Sequence, residues 1–169
     1  KGMFCTKLEK ALINRQIHCA IHSAKDCATI ETPGTELLGV VYRGDPRDCV
    51  IGDHNLHQLP AGSRIGTSAP RRIEAIRLIR PDCQVVEVRG NVNTRLNKLR
   101  DKQVDALILG QSVIDRMGLD VPHHTISEEV ILPAAGAGKV VVQVRADDLQ
   151  TKAIWYPAID WLASQELWI

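Results

Sequence analysis

The chain of 169 residues is 44% hydrophobic and 24% charged, with a formal net charge of +1. That length is enough to bury a core and to hold one or two domains. The near-neutral balance excludes a global field that would favour nucleic acid or an anionic membrane, so any anion recognition must be local. No run of about 18 apolar residues is present to form a spanning helix, and no secretory signal is visible.

In chain order, residues 3–14 read as a helix with Phe4, Leu8, Leu12 and Ala11 toward one face. Short apolar runs at 17–22 and 37–42 have the length of buried strands. A turn at Gly44-Asp45-Pro46-Arg47-Asp48 leads to a third strand at 49–51. After the polar stretch Gly52-Asp53-His54-Asn55 the pattern becomes strand, helix, strand, helix, strand, helix. Strands are expected near 64–66, 84–88 and 104–109, and helices near 69–79, 92–101 and 111–118. Such alternation with short connections predicts a parallel sheet covered by helices. A loop holding Pro122, His123 and His124 follows, then a β-branched strand at 140–144. A helical segment at about 147–166 comes last, in a tail that carries Trp155, Trp161 and Trp168.

Two strand-to-helix turns, 24 residues apart, carry arginines: Gly66-Thr67-Ser68-Ala69-Pro70-Arg71-Arg72 and Val88-Arg89-Gly90-Asn91-Val92-Asn93-Thr94-Arg95. In an open α/β sheet such turns sit at the carboxyl ends of the strands, where helix N-termini converge on ligands. Ser68 is expected to cap one helix with Pro70 in its first turn, and Asn91 to cap the next. Arg71, Arg72, Arg89 and Arg95 then stand beside two positive helix ends, suited to carboxylates or phosphates. The competing reading is surface ion pairs to Glu74, Glu87 or Asp101.

Upstream, Ile21-His22-Ser23-Ala24-Lys25-Asp26 places an acid beside a base after an apolar run. A Ser/His nucleophile pair is disfavoured, because adjacent strand residues point to opposite faces. An ionised Asp26 beside cations would suit it to stabilise a cationic intermediate. The plainer alternative is a strand-end aspartate that caps its own loop. The five cysteines, Cys5, Cys19, Cys27, Cys49 and Cys83, are odd in number and lack a Cys-x-x-Cys spacing. They read as reduced thiols of a cytoplasmic protein, and no metal site is expected.

Taken in order, several segments resemble the porphobilinogen deaminase (hydroxymethylbilane synthase) family. They are Lys1-Gly2-Met3-Phe4, Leu8-Glu9, Ile21-His22-Ser23-Ala24-Lys25-Asp26, Asp45-Pro46-Arg47-Asp48, Leu59-Pro60-Ala61-Gly62-Ser63, Gly66-Thr67-Ser68 with Arg71-Arg72, Arg89-Gly90-Asn91-Val92 with Thr94-Arg95-Leu96, Leu132-Pro133-Ala134 and Gly136-Ala137-Gly138. The resemblance implies an α/β fold of two periplasmic-binding-protein-like domains with hinge crossings, the first domain incomplete. Domain 1 would be residues 1–52 plus 137–169, and domain 2 would be 55–134, inserted between them. It further implies a transferase that joins four porphobilinogen units with release of ammonia, in tetrapyrrole and haem biosynthesis. The alternative is a non-catalytic relative that binds a polycarboxylate such as a linear tetrapyrrole.

By the same resemblance Asp26 would be catalytic. Ser23, Lys25, Thr67, Ser68, Arg71, Arg72, Arg89, Gly90, Asn91 and Arg95 would bind substrate and cofactor, and Lys1 would edge a mobile loop. The family's cofactor is a dipyrromethane, and its covalent cysteine attachment site is not in this chain. Ala69 stands where the family has a serine, Ala137 where it has a glutamine, and Cys27-Ala28 where it has a hydrophobic-Pro pair. The partner implied is the small molecule porphobilinogen, with no nucleic acid and no membrane, for a monomer.

Overall fold

The computed structural model of the chain describes residues 3–167. Its backbone divides into two compact units, Lys1–Gly44 with Ala134–Ile169 and the continuous stretch Asp45–Pro133.

The first unit opens with helix α1 (Met3–Ile13) and strand β1 (Cys19–Ser23), which ends in a single 3-10 turn at Ala24–Asp26. Strand β2 (Thr35–Arg43) follows, and strand β8 (Lys139–Arg145) returns after the inserted unit. β8 lies between β1 and β2 and pairs antiparallel with both. Its apolar residues drive that placement: Val141, Val142 and Val144 are all buried, packing with Leu38, Val40, Ile159 and Ala163. Gln143 is also buried, but it is satisfied. Its Nε2 donates to Thr35 Oγ1 at 2.9 Å and its Oε1 lies 3.0 Å from His22 Nε2.

The segment expected as one helix over about 147–166 is broken into α5 (Leu149–Trp155), a 3-10 turn at Tyr156–Ala158 and α6 (Trp161–Gln165). Pro157 lacks the N–H an α-helix needs there, and Asp148 and Asp160 cap the two pieces through their side chains. Trp168 lies outside the described residues.

The second unit is a five-stranded sheet in the order β5-β4-β6-β3-β7. Strands β4 (Arg64–Gly66), β5 (Gln84–Val86) and β6 (Ala106–Gly110) are parallel, as the alternation predicts. Helices α2 (Pro70–Ile79), α3 (Val92–Arg100) and α4 (Gln111–Met117) follow them in turn. Two apolar clusters hold the helices to the sheet, one around Val50, Ile65, Ile76 and Ile108, the other around Ile51, Val88, Leu96 and Leu107.

Two details differ from the sequence reading. Strand β3 (Asp48–Ile51) was expected in the first domain, yet it is hydrogen-bonded antiparallel to β6, so the structural division falls at 44/45 rather than near 52–55. All four residues of β3 are buried, and only a sheet interior offers that. The loop expected at His123 and His124 contains strand β7 (His123–Thr125), a three-residue edge strand paired to β3. Its polar sequence beside Pro122 carries no period-2 apolar signal to announce it.

At the far end of the parallel strands, Asp105 accepts from the backbone N–H of Arg64 at 2.7 Å and from its guanidinium at 2.8 and 3.0 Å. Those bonds hold the Asp105 carboxyl down at about 2. A depressed carboxylate stabilises the fold above its unfolded value and loses that contribution as pH falls through the folded one. The second unit should therefore lose stability on acidification from about pH 4 toward 2. Asp105→Asn should flatten this limb, by no more than about 1 kcal/mol because the pair is half exposed, as read by denaturant melts across pH.

Candidate functional site

Two groups of residues stand out, one in each unit. In the first, β1 delivers Ser23 to the start of the 3-10 turn that carries Lys25 and Asp26, both exposed. The Asp26 carboxylate makes no hydrogen bond or ion pair within the described residues. The turn itself is anchored from below. The Cys5 thiol donates to the Asp26 carbonyl at 3.4 Å, and the Cys27 thiol to the Ser23 carbonyl at 3.8 Å. Burial pushes the Cys27 thiol up to about 11, with smaller contributions from Cys5, Asp26 and Glu9, so it stays protonated at neutral pH.

The returning chain passes directly over this turn. A Cβ on Gly136 would lie 3.0 Å from the backbone N of Lys25, and its φ of +70° is one that side chains disfavour. A cavity of 480 Å³ opens alongside, lined in part by Ala24, Lys25, Ala28, Thr29, Gly136 and Val141. His22, left unassigned by sequence, is buried beneath. Thr35 spends its hydroxyl proton on the Thr32 carbonyl and accepts from Gln143 Nε2, which turns Gln143 Oε1 toward His22. His22 Nε2 therefore donates to Gln143 Oε1, and its Nδ1 lies 3.7 Å from Cys5 Sγ.

In the second unit the N-termini of α2, α3 and α4 all follow the carboxyl ends of parallel strands, the edge where anions are bound. Asn91 caps α3 as expected, its Oδ1 accepting from Thr94 N at 2.8 Å. Gly90 precedes it at φ +112°, and a Cβ there would meet Thr94 Cγ2 at 2.9 Å. Ser68 does not cap α2. Ala69 takes that position with Pro70 behind it, and the Ala69 N–H is met by Thr67 Oγ1 at 3.3 Å. Thr67 is buried and Ser68 is half-buried.

The four arginines fall into three environments. Arg71 and Arg72 share one carboxylate: Arg71 Nη2 donates to Asp48 Oδ2 and Arg72 Nη2 to Asp48 Oδ1, each at 2.7 Å. Asp48 is 2% exposed and Arg72 7%, so this is a buried charge cluster. Arg71 also donates to the Leu132 carbonyl and Arg72 to the Ile108 carbonyl. Arg72 Nε is buried with no hydrogen-bond partner. Arg95 donates from Nε to the Gly90 carbonyl at 2.9 Å, and burial followed by the charge of Arg72 lowers its pKa. Arg89 is exposed and paired to Glu87 at 2.6 Å, the surface pairing that sequence had held open for it.

Asp48 was missed as a site residue. Sequence gives it as the end of a turn and as part of a segment that resembles the family, with no role of its own, and its partners lie 23 and 24 residues away. Antiparallel pairing explains its position: Asp48 begins β3 opposite Gly110, the last residue of β6, and so lands on the carboxyl edge of the parallel strands. The net result is an edge with more guanidinium than carboxylate. Lys1 lies outside the described residues. No group of three or more His, Cys, Asp or Glu suited to a metal ion occurs among the described residues.

The family model described as "Porphobilinogen deaminase, dipyromethane cofactor binding domain" matches residues 1–153. The chain belongs to the porphobilinogen deaminase family. It is 40% identical over 163 residues to the porphobilinogen deaminase of Roseiflexus sp. (strain RS-1), covering 95% of this chain and 54% of that protein. It is 43% identical over 153 residues to that of Desulforudis audaxviator (strain MP104C), covering 89% and 50% respectively. The chain thus spans about half the length of the curated relatives it matches.

Among solved structures it resembles a probable amino-acid ABC transporter extracellular-binding protein from Bacillus subtilis, with TM-score 0.57 and 15% identity over 94% of this chain and 70% of that one. It also resembles a VFT2 domain of BvgS from Bordetella pertussis, with TM-score 0.51 and 13% identity over 96% and 70%. Those likenesses show a periplasmic-binding-protein-like α/β fold.

Because Asp48 is buried and Arg89 is not, their removal should differ sharply. Asp48→Ala leaves two guanidiniums without their counter-charge and should cost about 3–5 kcal/mol in denaturant unfolding. Arg89→Ala should cost less than about 1 kcal/mol in the same assay.

Proposed function

We propose that this chain works as a porphobilinogen deaminase, joining four porphobilinogen units head to tail and releasing one ammonia per addition. The observation that carries the reading is the match to the family's cofactor-binding domain over residues 1–153. The arrangement of charge supports it. Each porphobilinogen bears an acetate and a propionate, so a growing chain presents many carboxylates to the arginines of the second unit.

The residues present also fit a dipyrromethane. Arg71 and Arg72 share a single buried carboxylate, the charge of Arg72 is felt at Arg95, and Arg72 Nε lacks an acceptor that a ligand carboxylate would supply. When bound, that group serves as the primer to which substrate units are added. Arg71, Arg72 and Arg95, with Thr67, Ser68, Gly90 and Asn91, would hold carboxylates of cofactor and substrate. Arg89, exposed and paired only to Glu87, would exchange that weak partner for an incoming carboxylate.

In the first unit, Asp26 would stabilise the positive charge that develops on the substrate as ammonia leaves, with Lys25 and Ser23 lining the same turn. Its exposed carboxylate, on a turn braced by Cys5, Cys27 and Gly136, suits that role. Lys1 would edge the loop beside the site. We further propose a monomer in the cytoplasm that acts on a small molecule and binds neither nucleic acid nor membrane. Free thiols at all five cysteines agree with a reducing compartment, and no helix among the described residues is long and apolar enough to cross a membrane.

Incubating the full-length natural protein with porphobilinogen should release ammonia and yield uroporphyrin. Binding of a polycarboxylate without any turnover would replace this reading with that of a non-catalytic relative. Asp26→Asn should lower turnover by at least about a hundredfold with an unchanged thermal melt. A rate near wild type would remove Asp26 from the mechanism.

A further inference from the structure

Asp48 belongs to none of the roles assigned above, yet its surroundings are the most constrained on the arginine edge. Its backbone is held on both sides: the Ile126 N–H donates to its carbonyl at 2.8 Å, and the neighbouring Arg47 carbonyl accepts from Gln111 N at 2.8 Å. Its side chain is 2% exposed, and each carboxylate oxygen takes one guanidinium at 2.7 Å. Gly110, across the strand pair, lies beside the arginine, and a Cβ there would meet Arg72 Nη2 at an ordinary contact distance of 3.9 Å. Arg72 and Arg71 are each tied by a second bond to a backbone carbonyl. With those bonds in place, the free N–H directions of both guanidiniums are set before any ligand arrives.

We propose that Asp48 is a positioning residue: its carboxylate, shared between Arg71 and Arg72, directs both guanidiniums toward the carboxylates of the bound ligand. This rests on the reading of the arginine edge as a polycarboxylate site. The chemistry of the pair gives it a sharp signature. Asparagine matches aspartate in shape, but its amide turns one acceptor into a donor facing a guanidinium N–H, so one arginine must swing away. Glutamate keeps the charge and both acceptors but moves them by one methylene. If Asp48 mattered only through its charge, Asp48→Asn would make the edge more positive and bind a polyanion more tightly, while Asp48→Glu would change nothing. If it serves to position, both substitutions weaken binding.

The test measures citrate, a tricarboxylate probe, by titration calorimetry against the full chain and both variants, with affinity expressed per folded molecule from parallel thermal melts. We expect Asp48→Asn to bind about tenfold more weakly, the loss of one well-aimed charge-assisted hydrogen bond, and Asp48→Glu to weaken in the same direction. In turnover of porphobilinogen, KM should rise by a similar factor with kcat within about twofold. Tighter binding by Asp48→Asn, or wild-type affinity in a folded Asp48→Glu, overturns the inference while leaving the carboxylate site standing. Should Asp48→Asn fail to fold, Asp48→Glu alone decides. A wild-type chain that binds no citrate overturns the carboxylate site and this inference together.

Discussion

The first unit depends on one strand placed between two others that never touch each other. β1 and β2 come early in the chain, but every ladder hydrogen bond that joins them runs through β8. The unit's sheet is thus assembled around a β-branched segment whose Val141, Val142 and Val144 supply the centre of its core. The same segment fixes the polar interior. Gln143 reaches from β8 to Thr35 on one side and His22 on the other, so the sheet is cross-linked by side chains as well as by backbone. Because β1 runs straight into the Ala24–Asp26 turn, the position of Asp26 is set by that pairing and by the approach of Gly136 on the way into β8.

The second unit solves a different problem, the collection of like charges at one edge. Parallel strands bring helix N-termini together, and each adds partial positive charge to the guanidiniums already there. Left alone, such an edge would repel itself. A single antiparallel strand relieves it, since only a strand running the other way can present its first residue among the last residues of its neighbours. Asp48 is that residue, and it neutralises part of the charge while leaving a surplus. Burial makes the arrangement rigid, because a desolvated ion pair that separates without water is costly.

Much of this was legible in the sequence. The alternation of strand and helix from residue 64 to 118 was readable because short loops, helix periodicity and Pro70 all agree there, and Asn91 announced its cap by residue type alone. The motifs around Asp26 and the arginines were enough to indicate the family. What escaped was non-local. Nothing adjacent to Asp48 tells of arginines 23 and 24 residues away, because the pairing exists only once β3 lies beside β6. β7 has too few residues and too polar a sequence to stand out, and it is a strand only by virtue of the edge it covers. The assignment of Arg71 and Arg72 as simple ligand-binding cations missed that each already holds a carboxylate oxygen.

The interruption of one unit by the other has a consequence for how the chain is made. Asp45–Pro133 is continuous, so the second sheet has all its strands as soon as that stretch has left the ribosome. Among the described residues the first sheet is still incomplete at that moment, since β1 and β2 lack the strand that joins them until residues 139–145 are synthesised. Until then β1 and β2 are bare edges flanking an apolar gap, the kind of surface that recruits other chains. The inserted unit eases the closure by acting as a folded loop rather than a slack one. The Gly44 N–H finds the Gly138 carbonyl at 2.9 Å, which brings the two ends of the insertion together and shortens the search for β8. Among the described residues, the first unit's sheet thus waits on a late strand that takes its central place.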